Sequence, residues 1–422
     1  MKQRILIILQ SWEPQSSVVT RRWQWLGGEL ASAGMDVRVL SVQEERIIFQ
    51  QIDKAGELQA SQSDLRGVAE LPTIAKGNAV WEKAATQFLV SYRLVKLALM
   101  QNSPLREFDP TLLIGSVPAL PIAPTTRWIA RTLKTPYVID LRDAWPELFA
   151  ERIRWNDSVE PSRIDQLVLR VPARFFSKFV EVQLGLAFRD AQAISTTTAG
   201  IAAGVARYRY PSDGNLAVIP NVFGPQTELA CPGEKRSLDE GLRVLYAGTI
   251  GRAQALENLI KALKIANSRG SKVFLRVIGE GAGDRLLRQV AADLNVQFEH
   301  LDRVEPSELK THYEWADTAL VHLADWKSLQ TTVPSKLFEL LELGIHVTAV
   351  VDGEAAKLVR NLGAGVVVTP GDPIKLAETF IDLQKGRISL SVGGSGRSWV
   401  NDQRKLAHRT LLSLVLDSCR TT

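Results

Sequence analysis

The first forty residues alternate between short apolar runs and a helix-like segment. Residues 4–9 are almost entirely apolar, Trp23, Leu26 and Leu30 recur at helical spacing, and residues 37–40 alternate between apolar and polar side chains. An amphipathic helix between two apolar runs is the pattern of a parallel βαβ unit. The pattern therefore predicts that the chain opens with a parallel sheet covered by helices.

Similar segments continue through the first half of the chain. Predicted strands cover residues 111–116, 136–140, 193–195 and 216–220, and predicted helices cover residues 92–100, 127–133 and 167–188. Residues 44–87 are polar and weakly periodic, which predicts an insertion or a mobile loop.

A segment containing Pro and Gly, residues 224–240, separates this series from a second one. The second series has predicted strands at residues 242–247, 274–278, 319–323, 346–351 and 365–368, with helices between them, and a last helix at residues 401–416. A chain of 422 residues is also too long for one typical core. The sequence therefore predicts an α/β fold with two Rossmann-like, doubly wound domains. They are residues 1–224, completed by the terminal helix at about 400–422, and residues 241–395.

The composition narrows the class of protein. Hydrophobic residues make up 45% and charged residues 23% of the chain, which is ordinary for a globular protein. No apolar run is long enough to span a bilayer, and the apolar part of the amino terminus is too short for a signal peptide. Cys231 and Cys419 are the only cysteines, which fits a reducing cytoplasm. The net charge of +5 favours polyanionic ligands or an anionic membrane surface and is too small to predict nucleic-acid binding.

One helix in the second half carries candidate ligand contacts. Pro334 marks its start and Gly344 its end, a usual pair of signals. Lys336 and Glu339 lie three residues apart and share a face near the helix amino terminus, where unpaired N–H groups suit a phosphate. Glu339 also offers a carboxylate to a sugar diol. An ordinary amphipathic helix with a solvated Lys/Glu pair and Leu337 in the core fits the same pattern.

Three further turns follow predicted strands of the second half. Residues 248–252 and 279–283 are glycine-rich, and residues 301–304 carry charges. Glycine turns let a backbone approach a phosphate, and a following helix adds its dipole. The four turns together predict a nucleoside-diphosphate site at one edge of the second sheet. The candidate donor-binding residues are Gly248, Gly251, Arg252, Gly279, Glu280, Arg303, Val304, Ser335, Lys336, Leu337 and Glu339.

A second candidate site follows the predicted strand that ends near residue 140. Residues 140–146 contain two Asp, an Arg and a Trp, at the strand end where open α/β sheets bind ligands. A structural Arg–Asp pair at the end of the strand is the alternative. The candidate acceptor-side residues are Ser16, Ser17, Arg142, Asp143 and Asn221.

The helix predicted at residues 167–188 starts with basic and aromatic side chains. Arg174, Phe175 and Lys178 fit a helix lying on an anionic membrane. A core helix with solvated charges fits them equally. We therefore expect a cytoplasmic protein that associates peripherally with the inner face of the cell membrane.

Together these segments resemble the family-4 glycosyltransferases of the GT-B fold, in particular the branch that builds bacterial surface polysaccharides. The motifs that carry the resemblance are residues 140–146, 219–221, 248–256, 277–283 and 334–344. The resemblance implies a retaining, nucleotide-sugar-dependent enzyme with two domains facing across a cleft. It also implies that Arg252 and Lys336 hold the diphosphate, that Glu339 binds the ribose and that the last helix packs on the first domain.

The sequence departs from the family pattern at three places. The family often carries two glutamates separated by seven residues, and here Thr331 stands where the first would be. The lysine that often follows the Gly-Arg turn is absent from residues 253–257, so Lys336 is expected to supply that charge. Arg142 stands where a histidine is common in the first domain.

The resemblance and the residues together predict the chemistry. Departure of the nucleoside diphosphate places charge on phosphate oxygens, which fixed cations and N–H dipoles stabilise. The catalytic candidates are therefore Arg252 and Lys336, with Asp143 for acceptor positioning or proton relay. The sequence contains no Asp-x-Asp pair, so we expect no essential metal and no cofactor beyond the donor substrate. The expected donor is a UDP-linked, N-acetylated amino sugar, and the expected acceptor is a polysaccharide or lipid-linked glycan.

Two other functions are weighed against this one. A non-catalytic, nucleotide-sugar-binding subunit of a polysaccharide assembly complex would explain Thr331 at a glutamate position. An oxidoreductase would need a G-x-G-x-x-G turn after an early strand. The Gly279-Glu280-Gly281 turn lies deep in the second half, which disfavours that reading.

Overall fold

The structure is a computed structural model, and the chain forms two compact units. It describes residues 2–12, 17–43, 46–59, 80–117, 120–151, 173–208, 215–223, 237–305 and 308–420. The first unit contains Met1–Phe149, Ser162–Gly224 and Arg404–Thr422, and the second contains Ala150–Pro161 and Pro225–Gln403.

The first unit is built on an eight-stranded sheet with helices between its strands. Its strands are β1 (Arg4–Ile8), β2 (Asp36–Gln43), β3 (Arg46–Ile52), β4 (Leu58–Gln59), β5 (Leu112–Val117), β6 (Tyr137–Leu141), β7 (Ala193–Thr196) and β8 (Leu216–Val218). Its helices are α1 (Val18–Ser32), α2 (Val80–Leu99), α3 (Pro104–Phe108), α4 (Ile122–Leu133), α5 (Glu147–Ala150), α6 (Ala173–Asp190) and α7 (Ala199–Ala206).

The strand order of this sheet is β4-β3-β2-β1-β5-β6-β7-β8. The six strands β1, β2, β5, β6, β7 and β8 pair in parallel, because helices connect most of them along the chain. The chain builds outward from β1 first to β2 and then to β5, so the topological switch point lies between β1 and β5.

The expectation that residues 44–87 form an insertion or loop is wrong for part of that range. Strand β3 pairs antiparallel with β2, and β4 pairs antiparallel with β3. Ile47, Phe49 and Ile52 are buried, so the segment has an apolar face that anchors it to the sheet. Helix α2 also begins at Val80, before the predicted start at residue 92.

The second unit has a six-stranded sheet. Its strands are β9 (Leu242–Ala247), β10 (Val273–Ile278), β11 (Glu299–Leu301), β12 (Thr318–His322), β13 (Val347–Val350) and β14 (Gly365–Val368). Its α-helices are α8 (Glu257–Ser268), α9 (Asp284–Asp293), α10 (Leu309–Trp315), α11 (Ser335–Leu343), α12 (Gly353–Leu362), α13 (Pro373–Gln384) and α14 (Ser395–Arg420), with 3-10 turns at Leu238–Glu240 and Lys327–Thr331.

All pairings of the second sheet are parallel, in the order β11-β10-β9-β12-β13-β14. The chain builds from β9 first to β10 and β11 and then returns to β12, so the switch point lies between β9 and β12. Two doubly wound α/β units confirm the predicted fold class.

Helix α14 begins six residues before the predicted start at residue 401 and has contacts in each unit. Near its start, the Trp399 ring stacks on Phe338 with 5.9 Å between centroids. Further along, His408 Nδ1 lies 2.6 Å from Glu29 Oε2, and Arg404 Nε donates to the Phe223 carbonyl. The helix therefore starts in the second unit and ends in the first. In the described part of the chain, no helix is both long and apolar enough to cross a membrane.

Candidate active site

The turns that follow β9, β10, β11 and β12 are joined by backbone hydrogen bonds. Ile250 N donates to the Glu280 carbonyl at 3.0 Å, and Gly279 N donates to the Leu301 carbonyl at 3.0 Å. Ala324 N donates to the Ala253 carbonyl at 2.8 Å. The three predicted turns after β9, β10 and β11 are therefore brought together, and residue 324 after β12 joins them, around the switch point where open α/β sheets bind ligands.

Gly279 shows why glycine is needed in these turns. Its φ is +135°, and a Cβ atom built on it would collide with the carbonyl oxygen of Gly248. The two predicted glycine turns thus pack backbone against backbone, which a larger residue at position 279 would prevent. The Gly251 amide is held by the side chain of Gln254, whose Oε1 accepts at 3.1 Å.

Three helices begin at this edge without a side-chain cap in the described structure. The residues before α8, α9 and α11 are Leu256, Gly283 and Pro334, and none makes a capping hydrogen bond through its side chain. By contrast, Asp352 caps α12 and Asp372 caps α13. Uncapped amino termini leave N–H groups and partial positive charge for an anionic ligand.

Helix α11 has the predicted core face and end. Leu337, Leu340 and Leu341 are buried, and Gly344 adopts the left-handed conformation with φ +70°. The Leu337 amide donates to the Pro334 carbonyl at 2.9 Å. Both the side chain and the amide of Leu337 therefore have partners within the protein. Ser335 and Lys336 remain half-buried at the helix start.

Glu339 belongs to a hydrogen-bonded cluster that the sequence did not indicate. The Tyr313 hydroxyl donates to Glu339 Oε1 at 2.6 Å, and Lys336 Nζ donates to the same oxygen at 3.0 Å. Lys336 Nζ also lies 3.2 Å from the Tyr313 hydroxyl. Tyr313 and Glu339 are buried, whereas the Lys336 side chain is 27% exposed. Lys336 therefore reaches the surface at the helix start while its charge is paired with a fixed carboxylate.

The other predicted donor residues lie on the turns after β9, β10 and β11. Glu280 and Arg303 are exposed, and their Oε1 and Nε atoms lie 4.0 Å apart. Arg252 and Val304 are half-buried. The turn after β9 is further fixed by Tyr246, whose hydroxyl donates to the Thr249 carbonyl at 2.6 Å.

His322 lies at the end of β12, beside the switch point. It is 2% exposed, and neither ring nitrogen has a hydrogen-bond partner of normal geometry. Burial lowers its pKa to about 4, and the backbone of Gln254 opposes this lowering only in part. His322 is therefore neutral near pH 7, and sequence reasoning did not single it out.

The first unit has a buried ionic network at the corresponding strand ends. Arg22 on α1 donates to both carboxylate oxygens of Asp140, at 2.8 and 3.2 Å. The hydroxyls of Ser116 and Ser195 donate to Asp140 at 2.9 and 2.8 Å. Ser116, Asp140 and Ser195 are register partners on β5, β6 and β7, so the sheet itself aligns these groups. The structural Arg–Asp pair considered from the sequence exists, but its arginine is Arg22 and not Arg142.

The ionic network determines how Asp140 titrates. Burial by itself raises the pKa of Asp140, but the charge and hydrogen bonds of Arg22 outweigh it. Arg142 and the Ser195 hydroxyl act in the same direction, and the pKa is lowered overall. Asp140 is therefore an ionised, fully bonded structural group and does not act as a general base.

Arg142 and Asp143 follow Asp140 and are bonded differently. Arg142 is 8% exposed, and its Nε and Nη1 atoms have no hydrogen-bond partner. Burial lowers the pKa of Arg142, and the nearby charge of Asp143 opposes this. Burial raises the pKa of Asp143, with Arg142 opposing. Arg142 thus carries unused hydrogen-bonding capacity at the carboxyl end of β6.

The remaining acceptor-side candidates have structural partners or lie outside the described residues. Ser17 caps α1, where its Oγ accepts from the Thr20 amide at 3.2 Å. Asn221 Oδ1 accepts from Arg22 Nη1 at 3.1 Å and is buried. Ser16 lies outside the described residues. Among the residues that the structure describes, no three His, Cys, Asp or Glu side chains cluster as metal ligands.

Comparison with known proteins identifies the family. A model described as "Glycosyl transferase 4-like domain" matches residues 19–222, and one described as "Glycosyl transferases group 1" matches residues 233–392. Between them, the two models span nearly the whole chain. The chain therefore belongs to the group 1 glycosyltransferases with a glycosyltransferase 4-like amino-terminal domain. No curated protein sequence matches it.

Solved structures of similar length share the fold. Sucrose-phosphate synthase from Thermosynechococcus elongatus superposes with a TM-score of 0.67 at 15% identity, covering 100% of both chains. Anabaena HepE in complex with UDP-glucose gives 0.60 at 13% identity, covering 98% of this chain and 99% of that chain. The lipopolysaccharide outer core galactosyltransferase WaaB gives 0.57 at 13% identity, with the same coverage. These similarities confirm the predicted GT-B fold class.

Proposed function

We propose that this glycosyltransferase is a retaining enzyme that uses a UDP-sugar donor, with an N-acetylated amino sugar as the group transferred. The observation that carries the proposal is the set of joined turns after β9, β10, β11 and β12, together with the uncapped starts of α8, α9 and α11 in the same unit. Anions bind at such helix starts. HepE, which has the same fold, was solved with UDP-glucose. The retaining course and the amino sugar rest on the family resemblance.

The proposed chemistry stabilises the departing diphosphate. Charge develops on its oxygens as the bond to the sugar breaks, and fixed donors aimed at those oxygens lower the barrier. Arg252 lies on the turn after β9, next to the start of α8, and Lys336 lies in the first turn of α11. We assign the diphosphate to these two cations and the uncapped amides. Glu339, fixed by Tyr313, is assigned to the ribose.

For the acceptor we propose a polysaccharide or lipid-linked glycan of the cell envelope. WaaB, a neighbour in fold, is a lipopolysaccharide galactosyltransferase, which fits such a role. The acceptor side is assigned to the carboxyl end of β6, where Arg142 and Asp143 lie, and Asp143 is the candidate for acceptor positioning or proton relay.

A lipid-linked acceptor also requires the protein to reach a membrane, and we propose peripheral association with an anionic surface. Helix α4 packs between α2 and α6 on one face of the first unit. Each of the three helices exposes an aromatic side chain: Phe88 and Tyr92 on α2, Trp128 on α4 and Phe179 on α6. Lys178 is exposed on α6 as well, whereas the Arg174 and Phe175 side chains lie outside the described residues. Aromatic and basic side chains together favour a membrane interface.

The test is a thermal-shift screen of the purified chain with UDP-, GDP- and ADP-sugars, followed by an assay of nucleotide release and sugar transfer. We expect stabilisation by UDP-N-acetylhexosamines above the other donors, and UDP release with them. Stabilisation by GDP- or ADP-sugars alone would overturn the assignment of the nucleotide.

The alternative is a non-catalytic nucleotide-sugar-binding subunit, and Thr331 is the observation that favours it. Thr331 ends a 3-10 turn, where its hydroxyl donates to the Ser328 carbonyl at 3.0 Å. A neutral hydroxyl replaces the carboxylate that the family often presents there. Donor binding without any hydrolysis or transfer would support this alternative.

A further inference from the structure

The guanidinium group of Arg142 is buried, and two of its three nitrogen atoms have no hydrogen-bond partner. Its Nε and Nη1 atoms are buried and have no partner, and the side chain is only 8% exposed. Buried polar groups are nearly always hydrogen-bonded, and an exception indicates a missing ligand, water or ion. Because the group is a cation, the missing partner is most favourably an anion.

Carboxylates near Arg142 do not serve as this partner. Asp140 is committed to Arg22, Ser116 and Ser195. No ion pair joins Arg142 to a carboxylate of the described residues, although Asp143 lies near enough to influence its pKa. Arg142 therefore lies near two carboxylates, of which Asp140 is fully engaged by other groups and Asp143 forms no ion pair with it in the described structure.

The position of Arg142 in the sheet is one where ligands bind, so its unpaired nitrogens are not merely a packing defect. Arg142 follows β6 directly, at the end of the parallel strands where open α/β sheets bind ligands. The Thr197 hydroxyl donates to the Arg142 carbonyl at 3.1 Å, which fixes the backbone of Arg142 beside the residues that open α7. The planar guanidinium fork matches the paired oxygens of a phosphate or carboxylate.

We propose that Arg142 forms an anion subsite for the acceptor, and that the acceptor carries a phosphate or carboxylate group which pairs with Arg142 Nε and Nη1. The inference rests on the proposed function, because it takes this strand end as the acceptor side. It adds a substrate class: an acidic glycan or a phosphate-linked carrier, in preference to a neutral sugar.

The experiment is isothermal titration calorimetry of the full chain saturated with UDP, with inorganic phosphate in one arm and acetate in the other. The variants are Arg142→Gln, which removes the charge, and Arg131→Gln as the matched control. Arg131 is an exposed arginine of the same unit that pairs with Asp190 at 2.8 Å. Saturation with UDP keeps the titrated anion from the donor site.

We expect the wild type and Arg131→Gln to bind one of the two anions, and Arg142→Gln to bind it at least about tenfold more weakly, as the loss of a charge-assisted pair implies. Phosphate in preference to acetate indicates a phosphate-linked acceptor, and the reverse indicates an acidic glycan. UDP affinity should stay within about threefold of the wild type in Arg142→Gln. Equal anion binding in Arg142→Gln, or no anion binding by the wild type, overturns the proposal. So does an equal loss of UDP affinity, because the anion would then belong to the donor.

A second measurement, on the wild type, tests the proposal if Arg142→Gln does not fold. The Nε–Hε resonance of Arg142 in the wild type, assigned through Arg142→Lys, should shift on addition of phosphate or acetate to the UDP-saturated protein. An unmoved resonance refutes the subsite. If UDP does not bind the wild type, the proposed donor has failed, and titration of the anions without UDP tests Arg142 separately.

Discussion

The Tyr313 hydroxyl donates a 2.6 Å hydrogen bond to Glu339 Oε1, and both side chains are buried. Tyr313 belongs to α10 and Glu339 to α11, so the bond fixes one helix relative to the other. It also holds the carboxylate that Lys336 needs as a partner. Tyr313 is therefore a positioning residue for the proposed ribose and diphosphate contacts.

Tyr313→Phe should raise the donor KM about three- to tenfold and leave kcat within about twofold, because a displaced Glu339 weakens uniform binding of the donor. Stability should fall by about 1–3 kcal/mol, since a buried hydrogen bond to a charged carboxylate is lost. The matched control is Tyr137→Phe, which removes a buried 2.7 Å bond to the Ala187 carbonyl in the first unit. An equal rise in KM for both variants would mean that Tyr313 acts only through stability.

Replacing Arg252 and replacing Glu339 should affect different kinetic constants. Arg252→Ala should lower kcat by roughly two to three orders of magnitude, because charge on the diphosphate grows in the transition state. Glu339→Gln should mainly raise the donor KM, because the ribose changes little during the reaction. Thr331→Ala should be milder than either. Steady-state kinetics with varied donor separate the three.

The control for Arg252 is Arg288→Ala, an exposed arginine on α9 that pairs with Asp284 at 3.2 Å. It should leave both constants near those of the wild type. Near-normal kcat in Arg252→Ala would show that the diphosphate site is misplaced.

Activity should survive chelation. The expectation rests on the absence of an Asp-x-Asp pair from the sequence and on the cationic and amide groups proposed to neutralise the diphosphate. The measurement is sugar transfer or donor hydrolysis in EDTA, with and without added magnesium or manganese. Complete loss of turnover in EDTA that either ion restores would contradict it.

Local pattern predicted strands well where they are continuous and apolar. The predicted strands 242–247 and 365–368 agree with β9 and β14 residue for residue. Strand β3 was missed because Gln50 and Gln51 interrupt its apolar alternation. Strand β11 has only three residues, two of them polar, so its pairing with β10 and not its own sequence defines it.

The candidate site, too, could be predicted only where its features depend on local sequence. Glycine turns and helix starts are local signals, and the three predicted turns after β9, β10 and β11 do meet. The partners of the charged groups are not local: Arg22 lies 118 residues from Asp140, and Tyr313 lies 26 residues from Glu339. Arg22 and Tyr313 look like ordinary helical residues in the sequence. Only the packing of distant elements shows that they are buried and paired.

Arg22 and Asp140 should stabilise the folded protein only when both are present. Arg22→Met or Asp140→Leu alone should destabilise the protein by about 3–5 kcal/mol, because each leaves an uncompensated buried charge. The double variant should recover much of that loss, as measured by urea unfolding. The lowered pKa of Asp140 contributes stability above the unfolded value of about 3.9, and that contribution is lost as the pH falls through the folded pKa. Additive losses in the double variant would show that the two groups are not coupled.

As the pH is lowered, two buried histidines should reduce the free energy of unfolding between about pH 6.5 and pH 4, before the contribution of Asp140 is lost. Burial lowers the pKa of both His322 and His346 to about 4. In this range the unfolded chain binds protons that the folded chain does not, so acid favours unfolding. At 1.36 kcal/mol per pKa unit, each histidine should cost roughly 2 kcal/mol at pH 5 relative to pH 7.5. Urea unfolding at the two pH values measures the difference. His322→Phe should remove about half of it, and an undiminished pH dependence would show that His322 is protonated in the folded protein.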